Sequence, residues 1–468
     1  MRRPRSSEAF KEYSYVLNFK NSEKIIRKLE GNLGRVALIF PNSYSIASGS
    51  LAWSWIQTLL MQRGLHVQRF FYERWFEKFY SMEDQVPLDE FPIWLFTFQF
   101  ENDLLNIAEM LLKKGIPLSI YERKPYHPIV IIGGPVTLFN NELIDEIADF
   151  VFIGDLECNA DEFAKALGHD DKDEIVKHLL DIKQIYSKRY GKLVFSNCIG
   201  TLSPVPVAHF ITPYSPYKNK LLVELGRGCI RRCAFCVTGY TKKPVKFASL
   251  DEVIEVFERY QDFEFGLISA TITDYPYLER LLEYLERKNV RFSVSSMRAD
   301  KINEKLLRLL KTTEHHSFTI APEGISQKLR DVMLKDLTTE ELITALELGR
   351  KVGFKQVKFY YIIGLEEEDG KDYAEFFEFL KTVINMRYQE ISISINPLVP
   401  KPFTPFESRK MIDKKSYEER VAFIRKNIPK KVKADFESYK LSKMQYEISH
   451  LKGTQTIEYL REVFKNKK

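Results

Sequence analysis

Apolar runs of strand length alternate with amphipathic helical segments along most of this 468-residue chain, and that alternation restricts its fold more than any other feature. The first 30 residues read as a charged, helical lead-in. The first strand follows at Arg35–Phe40 (RVALIF), and LHVQRFFY, FPIWLFTFQF, HPIVIIGG and FVFIGD continue the series. The helical segments SLAWSWIQTLLMQRG and NDLLNIAEMLLKKG lie between them and close on Gly64 and Gly115, which suit helix stops. ELIDEIAD reads as a further short helix. Such a series predicts a parallel sheet with helices on both faces, here a doubly wound domain over residues 31–165.

Residues 166–215 read as a connector. DKDEIVKHLL is helical, KRYGKLVF resembles a hairpin, and the proline-bearing TLSPVPVAHFITPYSPYKNK cannot hold a helix. A second series starts at Leu221, with strands LLVEL, FGLISA, RFSVSSM, HSFTIAP, QVKFYYIIG and EISISINPL and helices between them. Six strand–helix units over residues 216–410 predict a (β/α)6-type partial TIM barrel. Residues 411–468, rich in Lys and Glu, carry helix SYEERVAFIRKN, strand KVKADFES and helix MQYEISHLKGTQTIEYLREVF, a small α+β extension. The fold class is therefore α/β throughout.

Three of the five cysteines fall in GRGCIRRCAFC, Gly226 to Cys236, directly after a predicted strand. A disulfide framework would spread an even number of cysteines along the chain. Three thiolates on one loop, spaced C-x3-C-x2-C, can instead ligate three irons of a cubane and leave the fourth open. A zinc site normally takes four ligands, and no histidine stands near the trio, while Cys158 and Cys198 are remote in sequence. Three unrelated buried cysteines would explain neither the spacing nor the strand-then-loop setting.

The motif resembles that of the radical S-adenosylmethionine (radical SAM) superfamily. The resemblance implies that Cys229, Cys233 and Cys236 hold a 4Fe–4S cluster, whose open iron chelates the amino and carboxylate groups of S-adenosylmethionine. One electron, from a flavodoxin- or ferredoxin-type donor, then releases a 5′-deoxyadenosyl radical. Phe235 stands where the family packs an aromatic on the adenine. Gly226 and Gly228 let the loop turn tightly, and Arg231 and Arg232 lie beside an anionic site. Later strand ends match in outline. Ser269, Thr271 or Asp274 stands where the family contacts the amino group, although its usual Gly-Gly-Glu is absent. Ser295 and Arg298 suit the carboxylate or ribose, Glu323 the ribose hydroxyls, and Gly364 the strand near the adenine. Each lies at the C-terminal end of a barrel strand, where barrel active sites sit, and each would otherwise be an ordinary strand-end polar group or turn.

The first domain is similar to the cobalamin-binding-type domain that precedes many radical SAM barrels. PNSYSIASGSLAWSWI, IVIIGGPVTLFNNELIDEIADFVFIGDLE, VELGRGCIRRCAFC, TIAPEGISQKLRDVM and VKFYYIIGLEEED occur in the order of a bacterial radical SAM family with such a domain. The match covers most of residues 31–410, and PLVPKPFTPFE is similar to the methylthiotransferase branch. The cobalamin motif Asp-x-His-x-x-Gly is absent, so cobalamin would bind without a lower histidine, or the domain is vestigial. Gly133 and Gly134 allow a flat cofactor or phosphate to approach, or simply form a tight turn.

The formal charge of +6 permits an anionic partner, and the basic residues Lys242, Lys243, Lys246 and Arg425 to Lys433 read as solvated surface or as an RNA-binding rim. No run reaches the roughly 18 apolar residues of a membrane span. The basic N-terminus has no apolar run behind it, which favours the cytoplasm. Three functions stay open. The favoured one is radical modification or methylation of RNA or protein. Methylthiotransferase chemistry is disfavoured because a second cysteine trio is missing, with only Cys158 in the first domain. The others are cobalamin-dependent chemistry on a small metabolite and a non-catalytic iron–sulfur scaffold.

Overall fold

The computed structural model describes residues 7–313 and 317–465. His316, at the head of the expected strand HSFTIAP, and the basic residues Arg2, Arg3 and Arg5 lie outside them. The chain divides into two compact units, Met1–Val223 with Ile448–Lys468, and Glu224–Glu447.

The first unit is built on six strands: β1 (Leu33–Phe40), β2 (Leu65–Phe71), β3 (Ile93–Thr97), β4 (Ile129–Gly133), β5 (Phe150–Phe152) and β6 (Ile185–Tyr186). They lie in the order β2-β1-β3-β4-β5-β6. The first five run parallel, and β6 pairs antiparallel with β5. Residues 36–40 of β1 and all of β3 are buried, which is why these strands read as continuous apolar runs. Helices α1 (Ser7–Ser22), α2 (Leu51–Met61), α3 (Asp103–Lys113), α4 (Ala160–Leu167) and α5 (Lys172–Asp181) accompany the sheet. The order 2-1-3-4-5 is doubly wound, and its direction reverses between β1 and β3. Ligands of such folds enter at that reversal, beyond the carboxyl ends of the strands.

Three local expectations need correction. ELIDEIAD forms no α-helix. Its start is a short 3-10 turn, Asn141–Leu143, capped by the Asn140 side chain. Its acidic residues turn to Lys188, 2.8 Å from Glu146 and 3.4 Å from Asp145, instead of lining a helix face. The apolar run after Pro92 also stops early, at Thr97. There the backbone N–H of Phe98 turns to the carbonyl of Gly133 at 2.6 Å. That turn explains Gly134, whose φ is +131° and whose added Cβ would stand 2.5 Å from the Phe98 carbonyl oxygen. The expected final helix breaks at Gly453, φ +50°, into Tyr439–His450 and Thr454–Lys465.

One buried charge group anchors α1 and β2. Arg69 pairs with Glu23 at 2.6 Å and Glu83 at 2.7 Å, over the Phe210 ring. Paired in this way, the charges satisfy one another; removing one partner would strand the rest.

In the second unit β7 (Leu221–Glu224), β8 (Phe265–Ile268) and β9 (Phe292–Val294) form one arc in the order β9-β8-β7. The domain division falls within β7. β10 (Ser317–Glu323), β11 (Gln356–Ile363), β12 (Glu390–Pro397) and β13 (Val432–Phe436) form a second arc, all parallel. Amphipathic helices α6 (Leu250–Arg259), α7 (Leu278–Arg287), α8 (Glu304–Thr312), α9 (Thr339–Val352) and α10 (Gly370–Asn385) alternate with the strands in sequence. β13 joins the second arc, with Ile391 opposite Val432 and Ile395 opposite Phe436. Among the described residues, no helix is long and apolar enough to cross a membrane.

Asp103 opens α3 beside the reversal point, buried and bound by the Asn42 amide at 2.9 Å. Burial pushes its carboxyl up to about 6. An unfolded Asp titrates near 4, so the native state is favoured most below about pH 4 and loses stability as pH rises through the folded value. The loss should be roughly 3 kcal/mol. Chemical denaturation between pH 4 and 7 should show Asp103→Asn lacking that component.

Candidate metal centre

β7 leads directly into the cysteine loop. Gly226 and Arg227 pair antiparallel with Phe247 and Lys246, which clasps the base of the loop. Arg227 donates to Glu224 at 3.0 and 2.6 Å. The backbone then passes where side chains cannot. A Cβ on Gly226 would meet Ser269 Oγ at 2.8 Å, and one on Gly228, at φ +85°, would meet the Lys242 carbonyl oxygen at 2.4 Å. These glycines are dictated by close approach.

Cys233 is buried, Cys229 and Cys236 are half-buried, and all three are free thiols. Neighbouring segments grip the loop between them. The N–H of Ala234 donates to the carbonyl of Met333 at 2.8 Å, and the N–H of Phe406 donates to the carbonyl of Ala234 at 3.2 Å. Lys243 Nζ donates to the carbonyl of Cys229 at 2.8 Å. Burial pushes the Cys229 and Cys233 thiols above the ordinary range. Cys236 lies close enough to raise both further, while Lys243 opposes it at Cys229, and Lys335 and Arg298 at Cys233.

Among the described residues, no three His, Cys, Asp or Glu side chains converge as the ligands of a single ion would. A cubane asks for a different arrangement. It takes one thiolate per iron, so its sulfur ligands stand around the cluster and not on one point. Three free cysteines of one loop suit that donor set.

The other nominated residues lie on successive strand ends. Ser269 and Thr271 are buried beyond β8. Ser295, beyond β9, is exposed and donates to the Ser269 carbonyl at 2.8 Å. Arg298 has its guanidinium engaged, with Nε on Asp300 at 2.8 Å and Nη1 and Nη2 on the carbonyls of Lys335 and Asp336 at 3.0 and 2.5 Å. Asp274 accepts both forks of Arg231, at 3.1 and 2.6 Å. Glu323 ends β10 in the left-handed region, φ +66°, 3.3 Å from Lys335. Burial pushes its carboxyl up and Lys335 opposes that. Gly364, φ +100°, begins a turn whose next N–H, on Leu365, donates to Glu368 at 3.0 Å. Phe235 sits half-buried within the cysteine loop.

Sequence reasoning missed Lys335 and Asp300. Lys335 lies in a segment without a motif, and Asp300 stands two positions after Arg298 in the segment SSMRAD but was given no role; the fold brings both near the loop. It also set Cys158 and Cys198 apart, whereas the first unit joins them in a disulfide across 40 positions. Gly154 permits this, since its added Cβ would stand 2.6 Å from the Cys198 carbonyl oxygen.

At the reversal point of the first unit, Asn42 bonds Asp103 and the Asn106 amide donates to the Pro41 carbonyl at 2.8 Å. The nearest strands offer no histidine there: His66 opens β2 and His127 precedes β4, both at the amino ends. A histidine-ligated cobalamin does not fit these residues.

A family profile described as "Radical SAM proteins, N-terminal" matches residues 71–187, and one described as "Radical SAM superfamily" matches residues 223–380. The uncharacterized protein MJ0966 of Methanocaldococcus jannaschii is 28% identical, over 86% of this chain and 86% of its own. The tRNA-2-methylthio-N(6)-dimethylallyladenosine synthase of Pelagibacter ubique is 23% identical, over 65% of this chain and 67% of its own. Among solved structures, the radical S-adenosylmethionine methyltransferase TsrM from Kitasatospora setae, with cobalamin and a 4Fe–4S cluster bound, superposes with a TM-score of 0.57. It shares 14% identity over 80% of this chain and 77% of that one. The cobalamin-dependent S-adenosylmethionine radical enzyme OxsB gives a TM-score of 0.50 at 15% identity, over 75% of this chain and 52% of that one. At these identities the likeness is one of fold.

Gly228→Ala should force the loop away from Lys242. The expected cost is about 1–3 kcal/mol in chemical denaturation of the cluster-free protein, with a matching drop in iron retained per chain.

Proposed function

This chain belongs to the radical SAM superfamily, and on that premise we propose that it cleaves S-adenosylmethionine reductively at a 4Fe–4S cluster held by Cys229, Cys233 and Cys236, to modify RNA or protein. The observation that carries the proposal is the trio of free cysteines on one loop at the carboxyl end of β7. Bound there, the cluster would supply the electron that splits the sulfonium into methionine and a 5′-deoxyadenosyl radical, as its superfamily's chemistry requires.

The chain's own residues bind and orient. The tight glycine path fixes where the loop leaves β7, and burial keeps water from Cys233. Phe235 offers an apolar face for the adenine. Ser269, Thr271 and Ser295 offer polar groups for the methionyl end, and Glu323 an acceptor for ribose hydroxyls. Arg298, with its guanidinium engaged, acts in this reading by shaping the strand-end loops and not as a direct ligand. Gly364 lets the fifth barrel strand turn beside the cofactor.

RNA is the favoured substrate. The formal charge of +6, the lysines Lys242, Lys243 and Lys246 beside the cysteine loop and the similarity to a tRNA-modifying synthase support it. The electron would come from a flavodoxin- or ferredoxin-type protein in the cytoplasm. The strand order of the first unit supports a second reading, cobalamin-dependent chemistry on a small metabolite. The strands at that edge supply no lower histidine ligand for cobalamin.

Anaerobic reconstitution with iron and sulfide, followed by reductant and S-adenosylmethionine, should yield 5′-deoxyadenosine. Cys233→Ala should lose both the cluster absorbance and the product. Full cleavage by that variant would overturn the assignment. Visible absorbance and nucleic-acid content of the purified protein separate the cobalamin and RNA readings.

A further inference from the structure

The stretch from Cys229 to Cys236 contains neither helix nor strand, so its shape must be imposed from outside. Arg231 stands between the first two cysteines and is the loop side chain with the most ion-pair partners among the described contacts. Its guanidinium meets Asp274 through two parallel bonds, at 3.1 and 2.6 Å, with Asp300 at 3.6 Å and Asp336 at 3.9 Å. Asp274 and Asp300 are largely buried, with 6% and 10% of their side chains exposed. Asp300 is also held by Arg298, which in turn grips the carbonyls of Lys335 and Asp336. The backbone N–H of Arg298 closes the circuit on Thr273 Oγ1 at 3.1 Å. One guanidinium thus ties the cysteine loop to the ends of β8, of β9 and of the short helix Gln327–Val332.

We propose that Arg231 is the positioning residue of the cysteine loop, with Asp274 as its required partner. The ion-pair lattice sets the spread of the three thiols before iron arrives. The inference rests on the reading that those thiols hold a cluster, and it names a residue that touches neither iron nor cofactor. The chemistry favours arginine specifically. A paired fork and carboxylate fix direction as well as distance, which an ammonium cannot reproduce. Building the lattice into the metal-free fold removes the ordering cost from cluster assembly.

The test uses the full chain with Arg231→Ala, Arg231→Lys, Asp274→Asn and the Arg231→Ala/Asp274→Asn pair. Circular dichroism and thermal melting check the fold. Alkylation rates of Cys229, Cys233 and Cys236 in metal-free protein report the loop directly. Iron and sulfide per chain, and the electron paramagnetic resonance spectrum of the reduced cluster with and without S-adenosylmethionine, report its assembly. Arg231→Ala and Asp274→Asn should each speed alkylation about tenfold and cut cluster occupancy about fivefold or more. Arg231→Lys should fall between them and wild type. The double variant should be no worse than either single one, because both remove the same contact. Folded variants with wild-type alkylation, occupancy and spectrum would overturn the proposal. If Arg231→Ala fails to fold, Asp274→Asn, which keeps the side chain's shape, decides. A wild-type protein that takes up no cluster would sink the functional reading instead, and the alkylation rates would still judge the lattice.

Discussion

The placement of three thiols on an irregular loop is the constraint that the rest of the second unit has to satisfy. A helix or strand would place them by its own repeat, but residues 229–236 have none. Three kinds of restraint replace it. Glycines let the backbone press against Ser269 and Lys242. Backbone bonds tie Ala234 to Met333 and to Phe406. The Arg231–Asp274 pair adds a charged fork. The first kind fixes where the loop starts, the second pins its middle, and the third sets its direction. Apart from Lys242, the groups that impose these restraints are remote in sequence, beyond β8 and around Met333 and Phe406, so the loop takes its shape from its neighbours.

The same dependence decides what could be read from the sequence. The parallel strands were legible because both faces are covered, leaving near-continuous apolar runs such as residues 36–40. The cysteine spacing was legible because the donor set lies within one loop. What escaped was set by groups remote in sequence. ELIDEIAD carries helical periodicity, yet Lys188 draws its acids away. Arg298 and Asp274 look like free strand-end ligands until Asp300 and Arg231 take them up. Cys158 and Cys198 stand 40 positions apart and meet only because Gly154 admits the Cys198 backbone. Strand KVKADFES was legible as a strand, but no pattern in it says that it extends the second arc beside β12.

The first unit shows how a glycine can mislead a functional reading. Gly133 and Gly134 occur where doubly wound folds admit a ligand, and an approaching cofactor would explain them. Crowding against Phe98 explains Gly134 without one, and the Gly133 Cβ position already lies 3.3 Å from Phe152. The strand order keeps the reversal-point crevice as a ligand position, but the residues beside it are bonded to one another. A ligand at that edge would therefore have to compete with the Asn42–Asp103 bond, which is strongest where the carboxyl is charged, because the amide N–H donates to it.

Part of the backbone strain in the second unit lies beside the same lattice, at Glu323, Leu334 and Asp336. These three adopt left-handed φ values of +66°, +52° and +50° without being glycine. Such residues persist only where their surroundings over-determine them. Here the surroundings are identifiable. Lys335 pairs with Glu323, while Arg298 holds the carbonyls of Lys335 and Asp336 on either side of the strained turn. Met333, one residue before that turn, is the partner of Ala234 in the cysteine loop. Relaxing the turn would shift the carbonyl that pins the loop between Cys233 and Cys236. Arg298 thus contacts both the left-handed turn, through the carbonyls of Lys335 and Asp336, and the carboxylates around Arg231, through Asp300.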